Sequence, residues 1–153
     1  MVTMRGSSWE SLLEVVELRH KRRDSVLSQL VAAAESSGVV RDGDVVMAAL
    51  ARAHRVGSQG IGHGVAIPHA RSVAVLRPAA LLGRSERGVD WDPGAEEPVR
   101  LVMLVLSPAN LPALAHADRV VAAAHALRLQ RTRHKLLEAE RAAVRALLEA
   151  QPA

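Results

Sequence analysis

The chain has 153 residues, enough for a single domain that buries about two-thirds of its unfolded surface. Its net charge is +4, yet the basic residues are interleaved with acidic ones, there is no Phe or Tyr, and only Trp9 and Trp91 are aromatic. That excludes the basic face and stacking aromatics of a nucleic-acid binder, and the absence of cysteine excludes disulfides, thiolate catalysis and cysteine-bound zinc.

The N-terminal stretch carries acids and no long apolar segment, so it lacks a signal pattern. Residues 7–23 permit two readings. Ser7 and Glu10 fit a capping box ahead of a helical stripe of Trp9, Leu12, Leu13 and Val16. Val16, Leu18 and His20 also alternate with Glu17 and Arg19, as an edge strand requires. Residues 24–36 repeat Val26, Leu27, Leu30, Val31 and Ala34 at helical spacing, and Gly38 stops the run. After the turn at 41–43, Asp44 is the expected cap of a second helix through Val45, Ala48, Ala49 and Leu50.

Next comes SQGIGHGVAIPHAR, residues 58–71, whose Val65-Ala66-Ile67 reads as a short buried strand. The apolar runs 79–83 and 99–106 are bounded by turns, as strands buried on both faces are. The segment 88–98 between them reads as an exposed loop carrying Trp91. Two alanine-, leucine- and arginine-rich helices, 113–130 and 133–150, close the chain. The longest apolar run, 101–106, is far too short to span a bilayer, so a cytoplasmic protein with no membrane insertion is expected. Helices alternating with buried strands make the class α/β: a mixed β-sheet flanked by helices on both faces, three layers α/β/α. One domain is expected over residues 8–151, with a tail at 1–7.

The glycine segment is not a nucleotide loop. A P-loop needs Gly-Lys-Ser/Thr, and this segment has no lysine. A dinucleotide fingerprint needs a third glycine where Val65 or Ile67 stands. His63, His69 and His116 lack the helical His-x-x-x-His pair or neighbouring carboxylates of a metal site, so neither metal nor cofactor is expected. On motif grounds alone, His69 remains open as ligand, base, nucleophile or packing residue.

GSQGIGHGVAIPHAR closely resembles the signature of the fructose/mannitol-type enzyme IIA domains of the bacterial phosphotransferase system, which include the nitrogen-regulatory IIA proteins. That signature runs Gly-Ser-Thr-Gly-Ile-Gly-Asn-Gly, an apolar triplet, then Pro-His. The resemblance continues through RPAALLG, GVDWD, VRLVMLVLSPAN and LAHADRVVAAAHAL, and so covers about the whole chain. It implies that His69 is the phosphoacceptor of a phosphotransferase component and that His116 is the supporting active-site histidine. It also implies that the N-terminal segment is a strand near 15–20, followed by basic residues and a helix. The implied partners are the histidine phosphocarrier protein as donor, and a IIB domain or a regulatory target as recipient. No fused IIB or membrane domain is read in the chain, which points to a stand-alone or regulatory IIA.

The residues suit that chemistry. Imidazole is a neutral nucleophile near pH 7, and phosphoimidazole passes its phosphoryl group on readily. Gly60, Gly62 and Gly64 let backbone N–H groups approach an anion, and Pro68 restricts the backbone before His69. His116, near a helix start, would act as donor and electrostatic support. Two positions depart from the family pattern. His63 stands where the family has asparagine, and Ala53 stands where it tends to carry a phosphate-holding arginine. Arg52 and Arg55 flank Ala53 as candidate substitutes. Of the other histidines, His125 reads as structural and His20, His54 and His134 as surface. The competing reading is a non-catalytic regulatory or binding module on the same fold.

Overall fold

The computed structural model describes residues 7–151. The elements run α1 (Ser7–Glu10), β1 (Leu12–Glu17), α2 (Arg23–Ser36), α3 (Gly43–Val56), β2 (Gly60–Gly62), β3 (Val65–Ala66), β4 (His69–Ser72), β5 (Ala79–Val89), β6 (Val99–Pro108), α4 (Ala113–Ala126), α5 (Gln130–Glu138), a 3₁₀ turn (Arg141–Ala143) and α6 (Val144–Glu149). The six strands form one mixed sheet in the order β1-β5-β6-β3-β2, with β4 also on β6. Among the described residues, no helix is long and apolar enough to cross a membrane.

Period-two alternation builds the two cores. On β6, Val102, Leu104 and Leu106 face the core shared with α2 and α3, whereas Leu101, Met103 and Val105 face the one shared with α4, α5 and α6. On β5, Ala79 and Leu81 face the first core, and Ala80 and Leu82 the second. Both faces of the central strands are therefore aliphatic, and the architecture is the expected three layers.

β3 and β4 are two pieces of one path beside β6. Val65 and Ala66 pair with Leu101 and Val102, and after a break at 67–68 His69 resumes opposite Val105. The break follows from Pro68, which has no N–H for the ladder but still accepts from Val105 N at 3.0 Å. His69 thus opens a new strand after the break.

Three boundaries here differ from the sequence reading. β1 lies at Leu12–Glu17 and not at 15–20, because a register shift between Leu12 and Glu14 brings Leu12 and Val15 into the core. The Ser7 part of the expected capping box involves a side chain outside the described ones. The cap of α3 is Asp42, whose Oδ1 accepts from Asp44 N and Val45 N at 3.1 and 3.4 Å; Asp44 sits inside the first turn. The segment 88–98 is not wholly an exposed loop: β5 continues to Val89, and Trp91 is 3% exposed in the α2/α3 core.

The C-terminal helices break where arginine side chains take up terminal carbonyls. Arg133 Nη1 donates to Leu127 O and Arg128 O at 3.0 and 2.7 Å, beyond the end of α4. Arg84 Nη1 donates to Leu136 O and Ala139 O at 2.9 and 2.6 Å, at the end of α5. These bonds satisfy carbonyls that a helix end leaves free, a task glycine motifs often perform.

Candidate functional site

The site lies where β4, the end of β6 and the first turns of α4 meet. His69 starts β4, and His116 sits one turn into α4, its N–H bonded to Pro112 O at 3.0 Å. Between them, Nδ1 of His69 and Nε2 of His116 are 3.2 Å apart, with ring centroids separated by 5.3 Å and planes tilted by 49°. His69 is half-buried, and its Nε2 has no hydrogen-bond partner among the described residues. His116 is only 8% exposed.

Behind the pair is a second layer of polar groups. Ser107, at the end of β6, has its Oγ 2.7 Å from Nδ1 of His116. Arg119 lies one helical turn beyond His116 on the same face of α4. It donates through Nη1 to Ser107 Oγ at 2.7 Å and to Leu106 O at 2.6 Å, and through Nη2 to Ser11 Oγ at 3.2 Å. No salt bridge joins Arg119 to a carboxylate among the described residues. A third polar group, Arg71, follows His69 by two residues and so projects from the same face of β4. Its Nη1 donates to Leu111 O at 2.9 Å, anchoring it before α4.

These surroundings disfavour charge on the histidines. Burial lowers the pKa of His69. Burial lowers that of His116 more, to about 4, with His69, Arg119 and Arg71 adding repulsion. Burial also lowers Arg119, to about 10, which leaves it cationic at neutral pH. At neutral pH the site therefore holds two neutral imidazoles beside fixed positive charge. It can offer a nucleophilic nitrogen and attract an anion.

The glycines form a hairpin. β2 and β3 are antiparallel, with Gly62 opposite Val65 and His63-Gly64 as the turn. His63 has φ 57° and Gly64 φ 73°, the signs required at both central positions of a type I′ turn. Positive φ is uncommon for any residue but glycine and is adopted readily by asparagine, so His63 occupies a mildly strained position. Gly60 allows close approach: a Cβ there would lie 2.9 Å from Asp92 Oδ2 and 3.3 Å from Trp91 Cδ1. Gln59 fastens the hairpin to the site, its Nε2 donating to His69 O at 3.5 Å.

Arg52 and Arg55 are exposed on α3, which packs against β4, and neither bonds to the histidine pair. Ala53 is half-buried between them. His20 and His134 are exposed and His54 is half-buried; His125 lies in the last turn of α4, away from the pair. Ser107, Arg119 and Arg71 are the site residues that the sequence reading missed. The signals were present: His116 and Arg119 are three apart on a helix, His69 and Arg71 two apart on a strand, and a lone serine closes an apolar run.

Fold and site together define an α/β/α protein with an imidazole pair at one end of its sheet. The family model described as "Phosphoenolpyruvate-dependent sugar phosphotransferase system, EIIA 2" matches residues 11–150, and the chain belongs to that family. It is 32% identical over 130 residues to the fructose-specific EIIA component of Haloferax volcanii, covering 84% of each chain. It is 29% identical over 125 residues to the fructose-specific EIIABC component of Bacillus subtilis, covering 82% of this chain but 20% of that protein. The crystal structure of nitrogen regulatory protein IIA-Ntr from Neisseria meningitidis superposes with a TM-score of 0.78 at 25% identity, covering 92% of this chain and 97% of that one.

Proposed function

We propose that this chain is a phosphocarrier of the phosphoenolpyruvate-dependent phosphotransferase system, acting in the cytoplasm. His69 accepts a phosphoryl group from the histidine phosphocarrier protein. It then donates the group to a IIB domain or holds it as a regulatory switch. The observation that carries this reading is the asymmetry of His69, whose Nδ1 faces His116 at 3.2 Å while Nε2 has no partner among the described residues. Nε2 is therefore the nitrogen assigned to the phosphoryl group.

The transfer balances simply. Nε2 gives up its proton, and the lone pair so freed forms a bond to phosphorus as the bond from phosphorus to the donor's ring nitrogen breaks. The donor ring keeps that electron pair and takes up a proton. The protein's part is positioning and charge compensation. Arg71, on the same strand face as His69, supplies fixed positive charge, and His116 a neighbouring N–H. The hairpin amides around Gly60, Gly62 and Gly64 are left out of this assignment: Gly60 N–H already donates to Ser58 Oγ, and Gly64 O accepts from Arg100 N and Leu101 N, four to five positions along β6 from the Val105 that faces His69. Arg52 and Arg55 reach the phosphoryl group only if their side chains swing from the exposed face of α3.

The IIB domain as recipient is supported by the Bacillus relative, whose name joins A, B and C components in one protein. The regulatory use is supported by the likeness to IIA-Ntr. The test is incubation with phosphoenolpyruvate, enzyme I and the histidine phosphocarrier protein. The chain is expected to gain the mass of one phosphoryl group, labile in acid and persistent in alkali. His69→Ala is expected to abolish that gain. Equal labelling of His69→Ala, or an unlabelled wild type with an active cognate donor, overturns the carrier reading in favour of a binding module.

A further inference from the structure

We propose that Ser107 and Arg119 are positioning residues for the histidine pair: together they hold His116 as a ring whose proton sits on Nε2 and is donated to Nδ1 of His69. The argument follows hydrogen atoms along the contacts. A guanidinium has donors only, so Arg119 donates to Ser107 Oγ and to Leu106 O. The Ser107 hydroxyl, having accepted from Arg119, has one hydrogen to place. Among the described residues, its partner for that hydrogen is Nδ1 of His116 at 2.7 Å.

The reverse polarity is conceivable on paper, with His116 donating from Nδ1 to Ser107. Ser107 would then accept twice and its own hydrogen would have no acceptor among the described residues. Ser107 is 0% exposed, so that hydrogen would be a buried orphan donor, which folded proteins avoid. A neutral imidazole carries a single N–H. With Nδ1 accepting, the proton of His116 must be on Nε2, and Nδ1 of His69 must accept it across 3.2 Å. His69 then keeps its own proton on Nε2. The charge environment agrees: burial first, then His69, Arg119 and Arg71, hold the pKa of His116 down to about 4.

The arrangement suits the carrier function, on which this one consequence rests. An imidazole phosphorylated on Nε2 has a lone pair and no proton on Nδ1 when its ring is neutral. The bond from His116 therefore has the same polarity before and after phosphorylation. Arg119 and Ser107 would spare the second histidine from reorganising between the two resting states.

The tautomers are read directly by ¹⁵N–¹H NMR of histidine-labelled, unphosphorylated protein at neutral pH. Wild type is expected to show a protonated Nε2 and an unprotonated Nδ1 on both His116 and His69. Arg119→Met frees the Ser107 hydroxyl to accept, and is expected to shift His116 to a mixture of tautomers. Arg119→Lys is expected to restore part of the bias. Ser107→Ala removes the donor to Nδ1 while leaving the bonds of Arg119 to Leu106 O and Ser11 Oγ, so it decides the matter if Arg119→Met does not fold. A wild-type His116 protonated on Nδ1 overturns the proposal. So does an unchanged tautomer in Ser107→Ala or in a folded Arg119→Met. Because the reading is made without phosphate, a wild type with the expected tautomers that gains no phosphoryl group upholds the relay and sinks the carrier reading alone.

Discussion

Arg84 and Arg119 are both drawn into the body of the protein, near opposite ends of β6, and their surroundings differ in one respect. Arg84 meets a carboxylate: its guanidinium pairs with Glu17 while donating to Leu136 O and Ala139 O. Arg141 Nε lies 3.5 Å from the same carboxylate. Among the described residues, Arg119 meets only a serine pair and a carbonyl. At the Arg84 end the charge is answered locally, the side chain fixes α5 to the sheet, and Glu17 is lowered in pKa, chiefly by its hydrogen bond to Arg84. At the Arg119 end no carboxylate among the described residues pairs with the positive charge, and it adds to the burial and the His69 ring in lowering the pKa of His116. An interior arginine with a counter-ion braces a fold; one without a counter-ion tunes a site.

The largest expected effect breaks the structural half of that comparison. Arg84→Met removes a guanidinium from two carbonyls and strands Glu17 beside Arg141 alone, so it is expected to cost about 2–4 kcal/mol. Urea unfolding measures this, and phosphoryl labelling of the surviving fold should match wild type. A loss below about 0.5 kcal/mol would show that α5 is held by packing alone.

Arg119→Met probes the other half. It removes donors from Leu106 O, Ser107 Oγ and Ser11 Oγ and is expected to cost about 1–3 kcal/mol. Unlike Arg84→Met, it should also raise the pKa of His116, by removing a neighbouring cation. Histidine titration by NMR in both variants separates a brace from a tuning charge.

The third expectation concerns pH. His116 has its folded pKa depressed below the unfolded value, so the folded state binds fewer protons and stability is fully present above the unfolded pKa. With the ordinary histidine value of 6.5 falling to about 4, the loss should develop as pH drops through that window. Its size is on the order of 1–3 kcal/mol. His116→Gln should flatten the stability profile between those limits. The Arg84–Glu17 pair behaves differently. Glu17 is an acid with a depressed pKa, so its contribution is lost only as pH falls below the ordinary glutamate value of 4.5. Glu17→Gln should alter that lower limb alone. A profile that His116→Gln leaves unchanged would contradict the burial assigned to the site.

The smallest effect lies in the hairpin that holds neither arginine. His63→Asn should relieve the positive φ of the turn and stabilise by a few tenths to about 1 kcal/mol, read as a modest rise in Tm. A fall in Tm would mean that the His63 ring makes a contact worth more than the strain.

Much of the fold was legible because its strands advertise both faces. The runs holding Leu81 and Leu82, and Leu101 to Leu106, are aliphatic without interruption, which only a sheet covered on two sides can use. β2 and β4 were harder to read, since Gly60–Gly62 and His69–Ser72 are too short and too poor in β-branched residues to signal a strand. At the site, Pro68-His69 and the helix bearing His116 were visible by resemblance. Arg71, Ser107 and Arg119 were not, because their residue types are common on surfaces and only their neighbours give them a role.

The sequence by itself determined the α/β class and the aliphatic cores, since each depends on spacing within a few residues, while the two histidines were singled out by resemblance alone. Tertiary structure decided the rest. The breaks in the C-terminal helices come from Arg84 and Arg133 reaching carbonyls that local propensity would have left inside longer helices. The start of β1 comes from a register shift against β5. The contact between His69 and His116 joins residues 47 positions apart, and the bond from Ser11 to Arg119 spans 108. Such pairs are brought together by packing α4 on the sheet, a global event on which local patterns are silent. The direction of the proton between the two rings is fixed further away still, by a guanidinium that touches neither of them.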